Sequence, residues 1–176
     1  MRFYRYFLPT TFAPSIMALT KDVLASYHVS TLLLDIDNTI IDPFLDDLDA
    51  STLAFLKSLQ SEGITLILTS NSNFKRVSYI ASQLQVPFLH HTGKPAIWRF
   101  RRYAKAHHMD LRHAAVVGDQ LLTDAWFAKK LKLPSIIVEP KVSHDLIKTR
   151  FNRWINRHIR QVYHRQGWYR SLTEKR

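Results

Sequence analysis

Residues 31–39 of the chain read TLLLDIDNT, a short apolar run that leads into two acids separated by one residue. A continuous apolar run of this length is typical of a strand buried on both faces of a parallel sheet. Asp35 and Asp37 would then lie together at the carboxyl end of that strand. Two neighbouring carboxylates repel each other unless a cation or a proton lies between them, so the pair indicates a site for Mg²⁺. Taken alone, the same residues also fit an ordinary turn.

Further apolar runs follow along the chain, and a helical pattern separates each from the next. The predicted strands are 31–36, 64–69, 87–90, 114–117 and 135–138, and the predicted helices are 50–60, 74–84, 95–107 and 123–131. This alternation predicts an α/β fold with a doubly wound parallel sheet of about five strands. Ligands bind at the carboxyl ends of the strands in such sheets. We expect an N-terminal segment packed on the core, the core itself and a basic amphipathic C-terminal extension, over residues 1–30, 31–140 and 141–176.

Polar residues follow three other predicted strands at the same edge of the sheet. Ser70 and Asn71 follow the second strand, Lys94 follows the third, and Asp119 and Asp124 follow the fourth. A serine hydroxyl suits a phosphoryl oxygen, and a lysine ammonium can neutralise a carboxylate and a phosphate together. Each residue on its own also fits a turn, a helix cap or a solvated surface charge. Chance assembly of all of them in this order is improbable.

In this order, the four elements resemble the motifs of the haloacid dehalogenase (HAD) superfamily, over about residues 31–138. The resemblance implies a Rossmann-like core in which Asp35 is the nucleophile that becomes phosphorylated and Asp37 is the general acid and base. It implies Mg²⁺ as the cofactor. The implied site residues are Asp35, Asp37 (through its backbone carbonyl) and Asp119 for the metal, Asn38, Thr39, Ser70, Asn71 and Lys94 for the phosphate, and Asp124 as a support behind them.

The spacing leaves no room for a large cap domain, because one predicted helix fills most of the 26 residues between Asp37 and Ile64. Several strings are similar to the capless YqeG-type subfamily: FLP at 7–9, GKP at 93–95, GDQLLTD at 118–124 and TRFNR at 149–153. That subfamily is itself similar to phosphatidylglycerophosphate phosphatases, which implies a phospholipid headgroup as the substrate. Two alternatives stay open: a phosphatase of a soluble sugar phosphate or nucleotide, and a basic module that binds RNA or ribosomes with an idle site.

The chain is strongly basic, with a formal net charge of +11. Residues 144–176 hold nine Lys or Arg against two acids. On a helical wheel this segment has one apolar stripe with basic residues on its flanks. The stripe consists of Ile147, Phe151, Trp154, Ile155, Ile159, Val162 and Tyr163. Such a helix suits the interface of an anionic membrane. We therefore expect a cytoplasmic, peripherally membrane-associated protein with no specific nucleic-acid partner, unless the stripe packs on the core instead.

The chain contains no cysteine, which excludes disulfides and cysteine-based zinc sites. It also has no apolar run long enough to cross a membrane. A targeting role for the basic N-terminal residues is a weaker alternative to their packing on the domain. The sequence does not indicate the oligomeric state.

Overall fold

A computed structural model of the chain describes residues 2–142, 150–169 and 171–172. At its centre lies a parallel sheet with six strands in the order β1-β6-β5-β2-β3-β4. The strands are β1 (Thr11–Ala13), β2 (Thr31–Leu34), β3 (Thr65–Thr69), β4 (Phe88–Leu89), β5 (Ala114–Gly118) and β6 (Ser135–Val138). The doubly wound α/β fold predicted from the sequence is confirmed.

The sixth strand, β1, was not predicted from the sequence. It pairs in parallel with β6, and Phe12 is in register with Ile137. Three residues are too few to show a strand period, and Pro9 and Pro14 flank the run closely. Part of the N-terminal segment therefore belongs to the sheet itself.

Seven α-helices and a short 3-10 helix, Ile16–Ala18, accompany the sheet in the described part of the chain. The α-helices are α1 (Arg2–Arg5), α2 (Lys21–Ser26), α3 (Ala50–Ser61), α4 (Phe74–Leu84), α5 (Trp98–Ala106), α6 (Trp126–Leu131) and α7 (Arg150–Arg165). Successive residues of β2 point to opposite faces, as a strand requires. Leu32 and Leu34 pack with residues of α2, α3 and α4, whereas Leu33 packs with residues of α5 and α6.

The predicted helices agree closely with α3 and α4 and less closely with the other two. Asp49 and Asn73 cap α3 and α4, since each side chain accepts a backbone N–H in the first turn. Helix α5 begins three residues later than predicted. The predicted helix over 123–131 is instead a wide π-type turn, Leu121–Ala125, followed by α6. Such turns are frequent at functional sites.

The C-terminal helix α7 packs on the core near β1 and β6. Ile159 and Tyr163 are buried, and they share an apolar cluster with Phe12 and Ile137. The Tyr163 hydroxyl donates to the carbonyl of Tyr4 at 2.7 Å. The described part of the apolar stripe thus packs on the core, which is the alternative to membrane contact.

Part of the C-terminal apolar stripe is not covered by the described structure. Ile147 and the side chains of Phe151 and Trp154 lie outside the described residues, so membrane contact through that part of the stripe stays a prediction. Within the described ranges, no helix combines the length and the apolar character needed to cross a bilayer.

Candidate active site

The carboxyl edge of the sheet brings the predicted site residues together. Asp35 directly follows β2, Lys94 lies in the loop after β4, and Asp119 directly follows β5. Carboxylate oxygens of Asp35, Asp119 and Asp124 lie within 4.8 Å of one another, and all three residues are buried. Parallel strands that end at one edge therefore place distant parts of the sequence in a single acidic cluster.

Lys94 is the cation of this cluster. Its Nζ donates to Oδ1 of Asp35 and to Oδ1 of Asp124, both at 2.6 Å. The lysine side chain is only 2% exposed. Burial opposes the charge, but the carboxylates of Asp124 and Asp35 outweigh it and raise the pKa of Lys94 above its ordinary value. Lys94 therefore stays protonated and joins the end of β2 to the turn after β5.

The acidic cluster offers several carboxylate oxygens to a divalent cation. Burial raises the pKa of Asp35 to about 7, although the attraction of Lys94 opposes this. Carboxylate oxygens within 4.8 Å of one another are close enough to bind one ion together. Mg²⁺ prefers oxygen ligands of this kind. The donor set fits the ion: Asp35 and Asp119 would be its side-chain ligands, while Asp124 is engaged by Lys94.

Asp124 is held tightly against the end of β5. Its Oδ2 accepts the backbone N–H of Gln120 and the hydroxyl of Thr123, each at 3.2 Å. A β-carbon at position 118 would lie 2.2 Å from Cγ of Asp124. The glycine of the Gly118-Asp119 pair therefore makes room for the acid five residues after Asp119.

Asp37 has partners of a different kind. Its Oδ1 accepts from Nε of Arg76 at 2.9 Å, and its Oδ2 accepts from the hydroxyl of Ser72 at 2.6 Å. The Asp37 side chain is 30% exposed, so it reaches solvent at the mouth of the site. Arg76 was not predicted as a site residue. Arg76 could have been predicted as a site residue from its position in the first turn of α4, which lies at the carboxyl edge of the sheet.

Asn71 links two loops of the site. Its Oδ1 accepts the backbone N–H of Lys94 at 2.8 Å, and its Nδ2 donates to the Lys94 carbonyl at 3.1 Å. Nδ2 has a second N–H that neither bond uses, so the predicted phosphate contact of Asn71 stays a prediction. Ser70 is buried, and its Oγ accepts the backbone N–H of Ser72 at 3.0 Å, which leaves the hydroxyl proton for another acceptor.

Asn38 and Thr39 occupy the turn after Asp37. Asn38 has a φ of 64°, in the left-handed region that Asn tolerates better than most residues. Its Oδ1 accepts the backbone N–H of Val142 at 3.3 Å. Thr39 is buried, and in the described part of the chain its hydroxyl oxygen has no hydrogen-bond partner. Phosphate binding by these two residues stays a prediction.

Two residues of α7 support the turn after β5, and neither was predicted from the sequence. Asn156 is buried, and its Oδ1 accepts the backbone N–H of Leu121 at 3.1 Å. Arg160 donates to the carbonyls of Asp119 at 3.5 Å and Val138 at 3.1 Å, and it pairs with Glu139. Asn156 and Arg160 lie one helical turn apart. This polar i, i+4 pair beside the apolar stripe was the feature of the sequence from which their role could have been predicted. The C-terminal helix thus holds the turn that carries two of the acids.

Comparisons with known proteins show what this chain is similar to. A family model described as HAD-hydrolase-like matches residues 91–150, which include Lys94, Asp119 and Asp124. The chain is 29% identical over 163 residues to Probable phosphatase YqeG of Bacillus subtilis (strain 168), covering 93% of this chain and 95% of that protein. The chain is thus similar to HAD-like hydrolases over residues 91–150 and to a probable phosphatase over most of its length. The resemblance inferred from the motifs is confirmed.

Solved structures were also compared with the chain, and one of them shares its fold. Hypothetical protein XCC2798 from Xanthomonas campestris has a TM-score of 0.51 at 16% identity, covering 70% of this chain and 71% of that one. The 3-deoxy-D-manno-octulosonate 8-phosphate phosphatase from Moraxella catarrhalis, with magnesium, phosphate and KDO bound, has a TM-score of 0.46 at 17% identity, covering 58% and 64%. Because that TM-score and identity are low, the ligands of the Moraxella protein give no information about this chain. The matched family model and the similarity to Probable phosphatase YqeG over nearly the whole chain agree with the resemblance inferred from the motifs.

Proposed function

We propose that this chain is a Mg²⁺-dependent phosphatase that hydrolyses phosphatidylglycerophosphate to phosphatidylglycerol at a membrane surface, through an aspartyl-phosphate on Asp35. The observation that carries the proposal is the buried ammonium of Lys94, 2.6 Å from both Asp35 and Asp124 and beside Asp119. One cluster thus holds a carboxylate nucleophile, a fixed cation and oxygen donors for a divalent cation.

Asp35 and Asp37 divide the chemistry between them. An oxygen of Asp35 attacks phosphorus, the bond from phosphorus to the leaving oxygen breaks, and the protonated carboxyl of Asp37 gives its proton to that oxygen. Water then attacks the aspartyl-phosphate, Asp37 takes a proton from the water, and the bond from phosphorus to Asp35 breaks to release inorganic phosphate. One residue serves both steps because the second proton transfer reverses the first.

The contacts of Asp37 suit this exchange of a proton. Arg76 holds Oδ1 through a charge-assisted bond, so the carboxylate keeps its orientation. The neutral hydroxyl of Ser72 on Oδ2 is the weaker partner, and a leaving oxygen or a water molecule would replace it. A bound Mg²⁺, held by Asp35 and Asp119, would lower the repulsion between an anionic nucleophile and an anionic phosphate.

An open site supports a large or surface-presented substrate. The described connections after β2 and after β3 contain no inserted domain over the cluster, since α3 begins at Ala50 and α4 at Phe74. A phosphate at the end of a lipid headgroup could reach such a site from a bilayer. The resemblance of the motifs to phosphatidylglycerophosphate phosphatases supports this particular lipid. The alternative substrate, a soluble sugar phosphate or nucleotide, calls for the same catalytic residues.

Phosphate release with Mg²⁺ tests the proposal on two sets of substrates. One set is phosphatidylglycerophosphate in mixed micelles, and the other is a panel of sugar phosphates and nucleotides. We expect preferential turnover of the lipid and its loss in Asp35→Asn. Asp110→Asn is the matched control, because that exposed acid pairs with Arg112 away from the cluster. Lipid turnover that survives Asp35→Asn contradicts the mechanism, and preferential turnover of the soluble panel favours the alternative.

A further inference from the structure

A second concentration of positive charge lies outside the C-terminal segment. Residues 63–109 contain seven Lys or Arg and no acid, a net charge as large as that of residues 144–176. Two of the seven, Arg76 and Lys94, are paired with acids of the site. The other five form no ion pair with any acid that the structure describes: Lys75, Arg99, Arg101, Arg102 and Lys105.

Four exposed apolar side chains lie at the edge of the sheet that holds the site. Phe44, Leu45, Phe74 and Trp98 are exposed by 56%, 54%, 58% and 64%. Phe44 and Leu45 follow β2, Phe74 is the first residue of α4 after β3, and Trp98 is the first residue of α5 after β4. The three strands are parallel neighbours, so all four residues follow the carboxyl ends of adjacent strands. Asp35 lies at the same edge.

Two arginines place these segments beside the catalytic loops. Arg76 donates to the carbonyl of Leu45 at 2.9 Å and to Asp37 at 2.9 Å, which fastens the segment after β2 to the start of α4. The Cδ of Arg99 lies 4.0 Å from the position that a β-carbon of Gly93 would take, next to Lys94. Neighbouring strands are about 4.8 Å apart, so the ends of β2 and β4 are separated by roughly 10 Å.

We propose that this apolar and basic border of the site docks on an anionic bilayer and thereby brings a lipid phosphate to Asp35. Exposed aromatic and aliphatic side chains enter the membrane interface, while lysine and arginine pair with anionic headgroups. A groove of about 480 Å³ beside Trp98 is lined in part by Arg99 and Arg102, which suits a lipid phosphate. We call this surface the rim patch, and it consists of Phe44, Leu45, Phe74, Lys75, Trp98 and Arg99.

The apolar centre of the rim patch favours a bilayer over a polynucleotide. The side chains of Phe44, Leu45 and Phe74 offer no hydrogen bond to a base, and Leu45 offers no ring on which a base could stack. By contrast, Ile159 and Tyr163 of α7 are already buried in the core and cannot enter a membrane without leaving it. The lipid nature of the substrate rests on the proposed function, whereas binding to vesicles does not.

Flotation with vesicles of phosphatidylcholine and phosphatidylglycerol, without substrate, tests the rim patch directly. Leu45→Ser, Phe74→Ser and Trp98→Ser should each lower vesicle affinity by about tenfold, because burying such a side chain is worth at least that factor. Tyr6→Ser is the matched control, since Tyr6 is 43% exposed but lies ahead of β1, at the opposite edge. Thermal unfolding of each variant shows that its fold is kept. Affinity unchanged in all three variants overturns the proposal.

Tryptophan quenching by brominated phosphatidylcholine in the same vesicles distinguishes the rim patch from α7. We expect Trp98→Phe to lose most of the quenching and Trp154→Phe to keep it. The reverse pattern overturns the proposal in favour of α7. Filter binding to RNA provides a further test, because rim variants that weaken RNA binding and leave vesicle binding intact also overturn it.

Different results would refute the proposed docking surface and the proposed lipid substrate. Flotation that depends on the rim, without hydrolysis of phosphatidylglycerophosphate, supports the docking surface and refutes the proposed lipid substrate. Hydrolysis of that lipid in vesicles that no rim variant slows refutes the docking surface and leaves the substrate standing.

Discussion

Replacement of Gly118 by alanine is the smallest change that tests how the acidic cluster is held. The new β-carbon would lie 2.2 Å from Cγ and 2.4 Å from Oδ2 of Asp124, far inside normal contact distance. Gly118 ends β5, which is paired with β2 on one side and β6 on the other. The strand therefore has little freedom to move, and the Asp124 side chain has to shift away from Lys94.

Two costs combine in this variant. An extra methyl group in a well-packed interior costs about 1–3 kcal/mol. Removing one partner of a buried ion pair costs about 3–5 kcal/mol, but a displaced Asp124 keeps part of its attraction to Lys94. We expect the free energy of unfolding to fall by about 2–4 kcal/mol in Gly118→Ala. Phosphatase activity should nearly vanish, because Lys94 would lose one of the two carboxylates that hold it.

Urea unfolding and a phosphatase assay across a Mg²⁺ titration measure these two effects. A double-mutant cycle with Asp124→Gly identifies the cause, since that substitution removes the side chain in the way. In that background Gly118→Ala should cost little further stability, and an equal cost in both backgrounds would refute the proposed contact. Gly63→Ala is the control, because Gly63 has open space and a φ of 91°. It should cost about 1–2 kcal/mol from backbone strain and leave activity unchanged.

Three further changes test other contacts of the described structure. In the native protein, the ion pair with Lys141 lowers the pKa of Asp49, and Asp49→Asn removes this pair while keeping an N-cap on α3. The Asp49 carboxylate stabilises the fold at a pH above 3.8, its ordinary pKa, and this stabilisation is lost as the pH falls below that value. In acid, the Tm of the variant should therefore depend less on pH than the Tm of the native protein. Arg76→Gln should lower kcat by about a hundredfold in a phosphatase assay, since it leaves Asp37 poorly oriented, and an unchanged kcat would contradict that role. Asn156→Ala should cost about 1–3 kcal/mol in urea unfolding and weaken Mg²⁺ binding measured by calorimetry, and unaltered metal affinity would argue against a link between α7 and the site.

The grouping of the candidate site residues could be predicted because it depends on topology rather than on fine packing. In a parallel sheet all strands end at the same edge, so Asp35, Ser70, Lys94 and Asp119 had to meet once the strands were identified. The partners of Asp37 could not be predicted in this way. Contact with Arg76 and Ser72 depends on the direction of α4 and on side-chain rotamers, which no spacing in the sequence specifies.

The same reasoning explains why β1 and the packing of α7 were missed or left open. A hydrophobic stripe shows that one face of a helix is buried, but it does not show what covers that face. Either a bilayer or an apolar cluster next to β1 and β6 could bury the apolar stripe of α7, and the sequence does not distinguish between them. The choice depended on β1, whose Phe12 completes the surface on which Tyr163 packs. A three-residue strand gives too little pattern to reveal that surface.

The packing of α7 also decides how a membrane role of the C-terminal segment can be tested. Deletion of residues 144–176 would remove the buried Tyr163, which alone costs several kcal/mol, roughly as other large core truncations do. It would also remove Asn156 and Arg160, which hold the turn that carries Asp119. Lost lipid activity after such a deletion would therefore reflect a damaged site whether or not α7 touches a membrane.

Neutralising the exposed face of α7 is the cleaner experiment. His164 and Arg165 are exposed at the end of the helix, where substitution leaves the buried contacts in place. If the rim patch is the membrane surface, Arg165→Gln should change vesicle affinity only slightly, because a basic residue contributes about 1 kcal/mol only when it lies near the bilayer. Lys75→Gln should lower it more, since that cation lies beside the inserted Phe74. A larger loss in Arg165→Gln than in Lys75→Gln would mean that α7 faces the bilayer after all.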